Sequence, residues 1–175
     1  MSDFSCFTFK RFSFTRLGIL VFFLGFVAVY FLTSWMPQIL TDAGVPQQQA
    51  IQGSVVMAIG SIIGTVLIGW LATWYALNNL IATAFTIGAL CLTVLGFQLR
   101  VVEDMHATLW VMLFVTGAFL LGACTNLYSV PIIVYPTQVR STGLGWSAGI
   151  GRTGAVASPA IAGFMLSFGV SIPAM

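Results

Sequence analysis

The chain has 175 residues, 59% of them hydrophobic and 6% charged, with a formal net charge of +2. Soluble domains carry about 25% charged residues, so this chain cannot cover a globule with solvated side chains, and a soluble enzyme is excluded. No basic cluster has the density that nucleic acid requires, and a mean hydropathy of +1.03 makes a bilayer the natural solvent.

Residues 1–16 set Phe4, Phe7, Phe9, Phe12 and Phe14 among basic and hydroxyl side chains. They read as a cytoplasmic N-terminal segment, either lying in the headgroup region or forming a loose linker. From Leu17 to Leu40 there is no charge. That run is too long for a secretory leader, whose apolar region is about 7–15 residues, and no small-x-small site closes it.

A bilayer core needs about 20 apolar residues as a helix. Residues 17–40, 50–73, 77–99, 107–135 and 143–168 meet this, which predicts an all-α integral membrane protein of about five spans over residues 17–175. Thr41 to Pro46 is turn chemistry, Arg100 to His106 is a polar break, and Pro136 to Arg140 closes the fourth segment. With the N-terminus in the cytoplasm, Lys10, Arg11, Arg16 and Arg140 fall inside and Arg100 outside, the favoured arrangement for basic residues in short loops. An odd number of spans suits a partial chain, because the sequence stops about where a sixth helix would begin.

Arg152 carries the most information. It lies ~13–14 Å into the fifth segment at 1.5 Å per residue, close to the expected midplane, where an arginine costs ~2.5–3.5 kcal/mol unless it is compensated. On a helix it shares a face with Gly145, Ala148, Gly149, Ala155 and Pro159, and so projects from a notch. Its functional reading is an anion-binding guanidinium, able to grip a carboxylate in bidentate fashion. The bland reading is a structural arginine tied to carbonyls of a neighbouring helix.

Asn126 and Tyr128 precede Pro131 in the fourth segment, where proline predicts a kink. Asn126 either bonds a substrate or joins two helices, and Tyr30 and Ser34 are candidates for facing a cavity. Trp35 reads as an interfacial anchor and His106 as a solvated loop residue. Gly53, Gly60 and Gly64 share one face of the second segment, with Gly60 and Gly64 forming a GxxxG, a helix-packing pattern. Gly145 and Gly149 are assigned to packing too.

All four acids, Asp3, Asp42, Glu103 and Asp104, fall outside the spans. No nucleophile–base pair, metal cluster or phosphate loop is present, and Cys6, Cys91 and Cys124 are isolated. No cofactor, no metal and no enzyme activity is expected.

The run Tyr135-Pro136-Thr137-Gln138-Val139-Arg140-Ser141-Thr142-Gly143-Leu144-Gly145-Trp146, followed by Gly149-Ile150-Gly151-Arg152, resembles the major facilitator superfamily, and within it the aromatic-acid:proton symporters. Tyr30 to Pro37 with Thr41-Asp42-Ala43-Gly44 is similar to their seventh helix and its outer loop. The resemblance implies helices seven to eleven of a twelve-helix inner-membrane carrier. It implies uptake of an aromatic carboxylate of benzoate type, driven by protons. Substrate-binding candidates are then Arg152, Asn126, Tyr128 and Tyr30, and Arg140 matches the arginine of the cytoplasmic gating loop. The partners implied are the lipid bilayer and an N-terminal six-helix bundle.

One departure is local: after Gly69-Trp70-Leu71-Ala72 stand Thr73 and Trp74, where the family carries an acidic and a basic residue. Two alternatives remain beside the carrier fragment. One is a non-transporting membrane remnant or partner subunit, and the other is a carrier for a different organic anion.

Overall fold

The computed structural model describes residues 3–98, 107–134 and 136–167. The break from Arg100 to His106, with Glu103 and Asp104, and Tyr135 lie outside the described residues. The rest is helical: α1 (Asp3–Asp42), α2 (Gln47–Leu71), α3 (Leu77–Gln98), a segmented fourth rod, and α7 (Arg140–Ser167). The fourth rod comprises α4 (Ala107–Thr116), a π-helical turn (Gly117–Leu121), α5 (Gly122–Asn126), a 3-10 turn (Leu127–Ser129) and α6 (Val130–Val134).

Among the described residues, four spans are long and apolar enough to cross a membrane: Leu20–Asp42, Gln47–Leu71, Leu77–Gln98 and Ala107–Ile133. The fifth expected span, α7, is not among them. Its 28 residues suffice for length, but its glycines, serines, threonines and Arg152 dilute its apolar character. α1 already begins at Asp3, so the segment set apart as residues 1–16 is, from Asp3 on, helix continuous with the first span.

Turns follow local chemistry. α1 ends where Gly44 adopts φ +92°, a conformation that glycine reaches without a Cβ penalty. The Val45 amide donates to the Leu40 carbonyl at 3.1 Å, and the Gly44 amide to that of Thr41 at 3.0 Å. This is the paired C-terminal closure of a Schellman motif. Val45 and Leu40 are both buried in the same core cluster.

Contacts between rods give their directions. Gly151, Gly154 and Ser158 of α7 meet Phe22/Phe26, Phe23/Val27 and the Val27 carbonyl of α1. The numbers rise together, so α1 and α7 run parallel. Met57, Gly64 and Thr65 of α2 likewise meet Gly117, Ala118 and Asn126 of the fourth rod in rising order. The fourth rod is central: 56% of its apolar window is buried, against 22–28% for the other three.

Outward from it, Ile51, Val55, Ile59, Ile62, Val66 and Trp70 of α2 are exposed. An exposed apolar stripe of that length belongs against lipid. Inside, one core cluster gathers Leu32, Met36, Leu40, Met57, Leu113 and Leu120 around the α1–α2 turn end. A second gathers Phe22, Phe26, Leu77, Ile81, Leu127 and Ala155 at the opposite end.

Candidate functional site at the α1–α7 seam

Residues four apart on a helix share a face, and α1 places aromatics at 22, 26 and 30. Phe22 and Phe26 stack with centroids 6.2 Å apart, and Phe26 stacks on Tyr30 at 5.9 Å. Tyr128 sets its ring edge-on to both phenylalanines, at 5.7 Å to Phe22 and 5.9 Å to Phe26. It is placed by the break in the fourth rod. Pro131 has no N–H to offer the Leu127 carbonyl, and the chain tightens to 3-10 geometry over Leu127–Ser129 just before it.

α7 closes on this ladder with small residues. Ser147, Gly151, Gly154, Ala155 and Ser158 are buried, and they form one helical face. A Cβ on Gly151 would lie 3.2 Å from Phe26 Cδ2, and one on Gly154 2.8 Å from Val27 Cγ2. Ser158 Oγ donates to the Val27 carbonyl at 3.0 Å.

Arg152 follows Gly151, turned about 100° away from the seam, and is exposed. It stands about 18 Å along α7, level with Phe22 and Phe26 of α1. Of the acids, Asp42 alone has a described side chain, and it sits at the far end of α1, accepting from Gln38 Nε2 at 3.0 Å. Among the described residues, Arg152 has no carboxylate partner.

Tyr30 and Tyr128 therefore join one ring cluster, while Arg152 lies one residue past the glycine packed on it and faces away. Tyr30 is 42% exposed and Tyr128 is half-buried, so both present surface. Asn126 lies elsewhere. Its Nδ2 donates to the Thr65 carbonyl of α2 at 3.2 Å and to the Gly122 carbonyl at 2.9 Å. These two bonds use the Nδ2 group, and the first joins the fourth rod to α2. Arg140 opens α7, half-buried, and among the described residues its buried Nε has no hydrogen-bond partner. Trp35 is half-buried, and its Nε1 likewise has none among the described residues.

Gly60 and Gly64 face the fourth rod at backbone distance. Added Cβ atoms would fall onto the Phe114 and Ala118 carbonyl oxygens. Gly53 is buried on the same face of α2. Gly145 and Gly149 have nothing within 4 Å; with Thr142, Trp146, Ile150 and Thr153 they line an open groove of about 520 Å³. A separate apolar crevice of about 420 Å³ touches the cluster through Phe22, with Gly18, Val21, Ile81, Phe85 and Leu127 around it. It includes neither Arg152 nor either tyrosine.

Sequence reasoning missed Phe22, Phe26, Gly151, Gly154 and Ser158. The i, i+4, i+8 aromatic spacing on α1 was the available signal for the ring ladder.

Bilayer-length helices and an exposed apolar stripe define a multi-pass membrane protein. No family model matches the chain, and no solved structure matches it either. Among curated proteins it is 32% identical to a gallate transporter of Pseudomonas putida over 166 residues, covering 94% of this chain and 36% of that protein. It is 32% identical to a benzoate transport protein of Acinetobacter baylyi, covering 83% and 30%. A 4-hydroxybenzoate transporter of Pseudomonas putida is 32% identical over 81% and 31%. The chain belongs with these aromatic-acid transporters, in the major facilitator superfamily, and not with enzymes. It spans about a third of the length of the curated relatives it matches.

Proposed function

We propose that this chain supplies the aromatic-carboxylate-binding face of an inner-membrane uptake carrier, with its N-terminus in the cytoplasm. The observation that carries the reading is Arg152, which follows directly on the glycine packed against the Phe22–Phe26–Tyr30–Tyr128 ring cluster. An arginine at membrane depth is expensive, and among the described residues no carboxylate pairs with this one. An anionic ligand relieves that cost, and a carboxylate matches the guanidinium fork. Tyr30 and Tyr128 then offer ring faces and hydroxyls to the aromatic part, while Asn126 stays with the bundle.

Uptake driven by protons needs a titratable group in the transport path. The carboxylates of this chain sit at or beyond the ends of its apolar runs, so the coupling acid is assigned to a partner bundle. The uncovered face of α7 at Gly145, Trp146 and Gly149 favours a helix of such a bundle seated there, the N-terminal six-helix half. The same face favours the second reading, a subunit that binds another membrane protein without transporting.

The test is uptake of radiolabelled benzoate by cells expressing the chain alone or with an N-terminal six-helix bundle, wild type beside Arg152→Ala. Uptake above vector that disappears in Arg152→Ala is the expected result. Uptake indifferent to Arg152 contradicts the site. No uptake in either setting, with the protein present in the membrane, favours the non-transporting subunit.

A further inference from the structure

Phe26 is the one side chain that touches every part of the cluster. Its ring stacks on Tyr30 at an interplanar angle of 16° and on Phe22 at 14°. It receives the edge of Tyr128 at 80°. From the other side, its Cδ2 lies 3.2 Å and its Cε2 3.5 Å from the position of a Gly151 Cβ. The ring thus fills the space that the α7 backbone leaves one residue before Arg152. At 5% exposure, Phe26 is too buried to be a ligand contact itself.

We infer that Phe26 is a positioning residue for ring selectivity: it sets the separation between the Arg152-bearing backbone and the two tyrosine rings. The inference rests on the aromatic-carboxylate reading above. Its physical basis is that offset and edge-on ring pairs hold a defined geometry, with centroids ~4.5–7 Å apart. A leucine at this position fills much of the volume but holds neither tyrosine in plane. The charge contact at Arg152 does not pass through the Phe26 ring. Carboxylate binding and ring discrimination are therefore separable.

That separation gives the experiment. The purified full chain in lipid is titrated with benzoate and with cyclohexanecarboxylate, which share charge and approximate size and differ in the π-face. Wild type prefers benzoate by about 3–10-fold, the scale of one aromatic pair. Phe26→Leu brings the ratio close to one while cyclohexanecarboxylate affinity holds, and Phe26→Tyr keeps the preference. Gly151→Ala, which presses on the ring from α7, lowers the ratio as well, and it decides the matter if Phe26→Leu does not fold. Arg152→Gln weakens both acids together. A folded Phe26→Leu or Gly151→Ala chain with the wild-type ratio overturns the inference and leaves the binding site standing. A wild-type chain that binds neither acid, or an Arg152→Gln chain that binds both unchanged, overturns the site and the inference together.

Discussion

Two seams hold the bundle, and they are built differently. Between α2 and the fourth rod, backbone meets backbone on both sides: Gly60 and Gly64 lie against Phe114 and Ala118, Gly117 against Met57, and Gly122 against Gly64. Little side chain stands between them that could repack, and Asn126 ties the rods with a hydrogen bond across the gap. Between α1 and α7 the small residues are on one side only. Gly151, Gly154 and Ser158 face Phe22, Phe23, Phe26 and Val27. The first seam is a fixed spine, whereas the second holds rings that pack on one another, with the exposed Arg152 one residue past its glycine. On the proposed function, scaffold and site are separated within one small bundle.

Breaking the spine has the largest expected effect on stability. Gly64→Ala forces a methyl onto the Ala118 backbone, and overpacking of that kind costs about 3 kcal/mol, read as a loss in unfolding free energy in mixed micelles. The seam at α7 is more forgiving. Gly154→Ala meets first a Val27 methyl at 2.8 Å, which can turn aside, although the Phe23 carbonyl oxygen at 3.0 Å cannot. A loss of about 1 kcal/mol is expected in the same assay. Asn126→Ala removes one inter-rod hydrogen bond, worth about 0.6 kcal/mol in a membrane. If Gly154→Ala proves as damaging as Gly64→Ala, the two seams do not differ as described.

The sequence made the spans legible. Bilayer-length helices such as Gln47–Leu71 and Leu77–Gln98 are readable because apolar runs ended by turn chemistry leave little choice. Gly60 and Gly64 were legible for a similar reason, since their spacing admits few uses. What stayed hidden depended on neighbours. α7 has glycines on more than one face, and only the arrival of α1 selects Gly151 and Gly154 over Gly145 and Gly149. Asn126 was readable as polar and buried, but whether its amide met a substrate or a helix turned on the Thr65 carbonyl, far away in sequence. The π turn at Gly117–Leu121, where α2 comes to backbone distance, left no residue pattern to read.

The most direct measurement is the equilibrium binding of benzoate to the purified chain in lipid, comparing Arg152→Gln with Asn126→Ala at matched helical content. A hydrogen-bonded charge contact is worth ~1.5–3 kcal/mol, so Arg152→Gln is expected to weaken binding at least about tenfold. Asn126→Ala is expected to stay within about twofold of wild type, since its amide serves the spine. Binding lost through Asn126 and retained without the guanidinium of Arg152 would contradict the division of the bundle into scaffold and site.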